Sequence, residues 1–91
     1  MAWRKPQSFF KYFPSNVRGR LLDVGCGDGR FLRYAREKSF EVWGIDFDKK
    51  SVENVKRNLG IDTVFAISLE EFYEYAKESR LKFGVITFLK Y

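Results

Sequence analysis

An α/β fold built on a doubly wound, mostly parallel sheet is the architecture this sequence predicts, and three observations predict it. Short apolar runs (RLLDV, FEVWGI, TVFAI and KFGVITFLK) alternate with stretches of about 10 to 12 residues whose apolar positions recur at helical spacing. The first of these runs is apolar on consecutive positions, as in a strand covered on both faces. A glycine-rich loop follows it directly and an acid ends the second, and in such sheets ligands bind at the carboxyl ends of the strands.

Pro6 suits the first turn of a helix over residues 7–13, which Pro14 stops. Residues 1–16 are therefore expected to be a basic, aromatic helical segment and residues 17–91 a single α/β domain. Arg20–Val24 is the first strand, and a helix over 28–38 follows with Phe31, Leu32 and Ala35 on one face. Phe40–Ile45 is the second strand, with Asp46 at its end. Asp48 can cap a helix in which Val52, Val55 and Leu59 share a face, and Gly60 provides a left-handed stop. Thr63–Ile67 is the third strand. In SLEE at 68–71, Ser68 and Glu71 can form a capping box that opens a helix through Arg80. Lys82–Lys90 reads as the fourth strand, and right-handed crossovers join all four.

The 91 residues can bury only roughly 60 to 65% of their unfolded surface, so the stability margin is expected to be thin. Aromatic residues are 19% of the chain, which predicts an aromatic-rich core. One cysteine and no histidine exclude an internal disulfide, zinc catalysis and histidine-based catalysis by this chain. No apolar stretch reaches the roughly 20 residues of a membrane helix, and MAWRKPQSFF lacks the core of a signal peptide, so the chain is expected to be cytoplasmic and to have no membrane partner. The net charge of +5 resides in residues 1–20, because the remaining 12 basic residues balance 12 acids. Basic residues interleaved with Trp3, Phe9, Phe10, Tyr12 and Phe13 are expected to form a helix that packs its rings on the sheet and leaves its cations in water, with nucleic acid or an acidic surface as the alternative.

A dinucleotide loop needs G-x-G-x-x-G, but the glycines are Gly25, Gly27 and Gly29, and Arg30 stands where the third fingerprint glycine would be. The Gly-Lys-Ser/Thr step of phosphate-binding loops is absent as well. The loop therefore admits a ligand to its backbone without being shaped around phosphate.

LLDVGCGDGRF resembles motif I of class I S-adenosylmethionine-dependent methyltransferases. VWGIDFD resembles their second motif, and ISLEEF and KFGVITF are similar to the next two in order and spacing. The resemblance covers residues 17–89 and corresponds to the amino-terminal, cofactor-binding half of that family's Rossmann-like domain. It implies strand order 3-2-1-4 and S-adenosyl-L-methionine as cofactor. Asp46 matches the acid that accepts from both ribose hydroxyls, and Asp23 the acid near the methionine amino group, with bonding to loop amides as the alternative for Asp23. Gly25, Cys26, Gly27 and Gly29 form the backbone wall, with the Cys26 thiol read as structural. Phe47 holds the position that often covers adenine, with core packing as the alternative. Ser68 and Leu69 sit where the family meets the adenine edge, and Ser68 could instead serve only its capping box.

The acceptor and the catalytic residue stay unassigned, because the family's acceptor segment follows strand four. The sheet is expected to stop there, leaving an open edge with Val85, Ile86, Phe88 and Leu89 that pairs chains into homodimers or larger assemblies. The expected function is thus a methyltransferase or its cofactor-binding half. The alternatives are a non-catalytic cofactor-binding module, a nucleic-acid-binding protein working through residues 1–20 and, more weakly, an NAD-dependent oxidoreductase.

Overall fold

A computed structural model describes residues 19–88 of the chain. The helix expected over 7–13 and the last residues of the expected fourth strand lie outside them. The elements run β1 (Arg20–Val24), α1 (Arg30–Glu37), β2 (Glu41–Ile45), α2 (Lys49–Leu59), β3 (Val64–Phe65), α3 (Leu69–Ser79) and β4 (Val85–Thr87). The strands form one sheet in the order β3-β2-β1-β4, and every pairing is parallel. This is the doubly wound arrangement the alternation predicts, in the Rossmann-like strand order the resemblance implies.

Each face of the sheet buries a different chemistry. Leu21, Val42, Val64 and Val85 point to one side and meet Leu32 and Ala35 of α1 and Val52, Val55 and Leu59 of α2, an aliphatic cluster. Leu22, Trp43 and Ile45 point to the other and meet Phe72 of α3, with Phe65 and Phe83 packed alongside. Trp43 makes edge contacts with Phe72 and Phe83 at centroid distances of 6.2 and 5.7 Å. The aromatic core read from composition is thus confined to the α3 side, because strand alternation sorts side chains by face.

Helix ends follow their local chemistry. The Asp48 carboxylate caps α2 by accepting from the Lys50 N–H, and Gly60 closes the helix in the left-handed region. Ser68 and Glu71 form the complete capping box of α3. Several boundaries are tighter than the sequence indicated. α1 begins at Arg30 rather than 28, β3 spans two residues rather than 63–67, and β4 begins at Val85 rather than 82. At these points the apolar pattern outruns the ladder, since a strand extends only as far as a neighbour pairs with it. Arg80, expected in the last turn of α3, instead ends it with φ of 58°.

A charged cluster closes the amino-terminal edge of the sheet. Glu41 Oε2 accepts from the Trp43 indole Nε1 at 2.6 Å and from Arg20 Nε at 2.9 Å. Burial works against the charged Glu41, but the bonds from Trp43 and Arg20 outweigh it and hold its pKa below the ordinary value. A lowered folded-state pKa contributes stability above the unfolded-state value and loses it as pH falls through the folded value. The difference in denaturation free energy between the native chain and Glu41→Gln is therefore expected to be greatest near neutrality and to shrink as pH falls through the lowered folded-state value. Because the Glu41 side chain is 51% exposed, the neutral-pH difference should stay under about 1 kcal/mol. Urea titrations across pH check both the sign and the size.

Candidate functional site

β1 and β2 run side by side with Val24 opposite Ile45, so the loop after β1 and the turn after β2 leave the sheet together. The Ile45 carbonyl accepts from the Gly25 N–H at 2.8 Å and the Cys26 N–H at 3.0 Å. The next residue, Asp46, continues the linkage. Its Oδ2 accepts from the Gly27 N–H at 2.9 Å and its Oδ1 from the Asp48 N–H at 2.9 Å. One half-buried carboxylate thus orders both the glycine loop and the entry to α2. Gly25, Gly27 and Gly29 take φ of 78°, 57° and 81°, which carries the loop across the strand ends and into α1.

A cleft of about 320 Å³ opens beside this junction. Val24, Gly25, Ile45, Asp46 and Phe47 line it from β1 and β2, and Ile67, Leu69 and Glu70 from the turn into α3. Five of these eight residues are apolar and two are carboxylates, and the volume falls in the range of roughly 300 to 1,000 Å³ usual for small-molecule sites.

The structure brings Gly25, Asp46, Phe47 and Leu69 together at the cleft, with Gly27 tied to it through Asp46. Phe47 is 83% exposed and Leu69 40%, so Phe47 is a rim residue and not part of the core. Ser68 is next to the lining but engaged in its cap: its Oγ accepts from the Glu71 N–H at 3.0 Å and its own N–H donates to Glu71 Oε1 at 2.9 Å. Cys26 is buried, 2% exposed, with its sulfur directed under Gly44, which fits a structural thiol. Gly29 packs against Val55 at the start of α1, away from the cleft.

Asp23 does not line the cleft. It is fully buried in the sheet, where Oδ1 accepts from the Thr87 hydroxyl of β4 at 2.8 Å. Thr87→Val removes that donor from a buried carboxyl group and is expected to destabilise the fold by about 1 to 3 kcal/mol, with Thr87→Ser restoring most of it. Equal urea midpoints for all three proteins would show that the bond contributes nothing.

Sequence reasoning missed four residues. Ile67 and Glu70 belong to the cleft because the turn after β3 folds over the end of β2. Thr87 carried no local signal. Gly44 did carry one, since a glycine inside a strand marks close approach. A Cβ there would lie 2.9 Å from Leu32 Cδ1 and 3.0 Å from Cys26 Sγ.

Comparison with known proteins agrees with the fold. Residues 2–91 match the family described as "Methyltransferase domain". No curated protein matches the chain. Among solved structures, the plantazolicin methyltransferase BamL, crystallised with a triazolic desmethylPZN analog and SAH, aligns at a TM-score of 0.55 and 28% identity over 63% of this chain and 22% of its own. The PH0226 protein from Pyrococcus horikoshii OT3 aligns at a TM-score of 0.42 and 23% identity over 89% of this chain and 30% of its own. The chain thus spans less than a third of either protein. The match along nearly the whole sequence and the sheet order β3-β2-β1-β4 lead to one assignment: this chain belongs to the methyltransferase domain family.

Proposed function

We propose that this chain binds S-adenosylmethionine at the cleft beside β1 and β2 and forms the cofactor-binding part of a methyltransferase. The observation that carries the reading is Asp46, a carboxylate at the carboxyl end of β2 held by two backbone N–H groups in the same cleft as Gly25 and Phe47. The residues suit the parts of that molecule. Each Asp46 oxygen accepts one backbone bond and keeps capacity for a ribose hydroxyl. Phe47, Ile67 and Leu69 offer apolar cover for adenine, and Gly25 lets the ligand approach the backbone. Bound there, the cofactor supplies an electrophilic methyl group on its sulfonium. The chain's own contribution is to hold the nucleoside and orient it at the sheet edge.

Calorimetric titration with S-adenosylhomocysteine tests the reading. At 100 times its dissociation constant the ligand should stabilise the fold by about 2.7 kcal/mol, while NAD leaves the melting temperature unchanged. Absence of both heat and melting shift with S-adenosylhomocysteine overturns the proposal.

We also infer self-association through β4. The Gly84 N–H donates to Arg20 of β1, so in a parallel ladder the N–H and C=O groups of Val85 and Thr87 point the other way. Ile86 and Phe88 are 51% and 61% exposed beside them. Light scattering should give more than the monomer mass, and Ile86→Lys should restore the monomer. A monomeric native chain at tens of micromolar would count against the pairing.

A further inference from the structure

The helices on the two faces of the sheet carry opposite charge. On one face α1 bears Arg30, Arg33 and Arg36 against Glu37, a net +2, and α2 bears Lys49, Lys50, Lys56 and Arg57 against Glu53, a net +3. On the other face α3 bears Glu70, Glu71, Glu74 and Glu78 against Lys77, a net −3. The overall charge had pointed only to residues 1–20, because acids and bases cancel along the rest of the chain. In three dimensions they separate.

α1 and α2 adjoin on this face, with Asp28 and Asp48 as the acids at their first turns. Gly29 stands so close to α2 that an added Cβ would lie 2.9 Å from Val55, and towards the other end the Arg36 guanidinium donates to the Leu59 carbonyl. Arg30 pairs with Asp28, but Arg33, Lys49, Lys50 and Lys56 make no ion pair among the described residues. Arg33, Lys49 and Lys50 are exposed.

The same surface lacks what a membrane or a protein partner would use. The exposed large hydrophobic residues among those described are Phe47, Leu69, Tyr73, Tyr75, Ile86 and Phe88, and none lies on α1 or α2. Membrane-surface helices insert an exposed apolar face, and protein interfaces anchor on aromatic and aliphatic side chains. A phosphodiester backbone asks only for spaced cations, whose contacts release condensed counterions. α2 begins two residues after Phe47 of the cleft rim, so its first turn, with Lys49 and Lys50, borders the cleft.

We infer that the face formed by α1 and α2 binds the phosphate backbone of a nucleic acid, which it lays alongside the cleft. Binding is electrostatic and independent of base sequence. It does not depend on the cofactor reading, since the test contains no cofactor.

The test is fluorescence anisotropy of a labelled oligouridylate of about 20 nucleotides with the full chain, between roughly 50 and 200 mM salt. Arg33→Glu, Lys49→Glu and Lys50→Glu together should weaken binding at least about tenfold and lower the log–log salt slope by about 2. Acids in the first turn of α2 suit the helix dipole, so the variant should keep its helical circular dichroism. The milder Arg33→Gln, Lys50→Gln pair should lower the slope by about 1, and Glu74→Gln with Glu78→Gln on α3 should not weaken binding. Three results overturn the inference: native affinity and slope in the folded Arg33, Lys49 and Lys50 variants, no RNA binding at the lower salt, or binding to phosphatidylserine vesicles without binding to RNA.

Discussion

Asp46→Ala is expected to weaken S-adenosylhomocysteine binding by about a hundredfold, since bonds to a charged acceptor contribute about 1.5 to 3 kcal/mol each and every 1.4 kcal/mol is tenfold. Two losses combine. The ribose hydroxyls lose their acceptor, and the Gly27 and Asp48 N–H groups lose the carboxylate that fixes the loop. Asp46→Asn should be nearly as damaging despite its equal size. Both Asp46 oxygens face N–H donors, so the amide nitrogen of asparagine would confront one of them. Calorimetric titration of the native chain and both variants measures the effect, and an affinity within about threefold of native for Asp46→Ala would reject the role assigned to it.

Gly29→Ala is expected to cost about 2 to 5 kcal/mol of stability, from about 1 to 2 for a left-handed residue with a side chain and about 1 to 3 for overpacking. Gly29 has φ of 81°, and its new Cβ would lie 2.9 and 3.0 Å from the two Val55 methyl carbons. In a small domain with roughly 0.05 to 0.15 kcal/mol of stability per residue, this is a large share of the total. Gly60→Ala isolates the torsional part, because φ there is 65° but the added Cβ meets open space, and about 1 kcal/mol is expected. A double-mutant cycle with Val55→Ala isolates the other part. The two losses should be less than additive, since a smaller residue 55 makes room for the Cβ. Strict additivity in urea denaturation would place the cost elsewhere.

Much of this arrangement is local and was therefore legible. RLLDV followed by three alternate glycines specifies a strand that must turn sharply. Asp48, Ser68 with Glu71, and Gly60 specify helix ends through bonds or torsions spanning at most a few residues. The position of Asp46 followed from the same logic, since a residue at a strand's end must lie at the sheet edge. Strand lengths were less legible. The apolar runs at 63–67 and, among the described residues, 82–88 continue past their partners, and the ladder ends where pairing ends.

What the sequence determined by itself was the succession of elements, their caps, and the edge of the sheet at which the glycine loop and Asp46 meet. What only the tertiary structure decided was which distant groups share an environment. Asp23 turns into the sheet towards Thr87, 64 residues away. Gly44 clears space for Cys26 and Leu32, Glu70 reaches the cleft, and basic and acidic helices separate to opposite faces. The reason is geometric: caps and turns depend on neighbouring torsions, whereas these contacts depend on strand register and crossover hand. A shift of one residue in register would send every strand side chain to the other face.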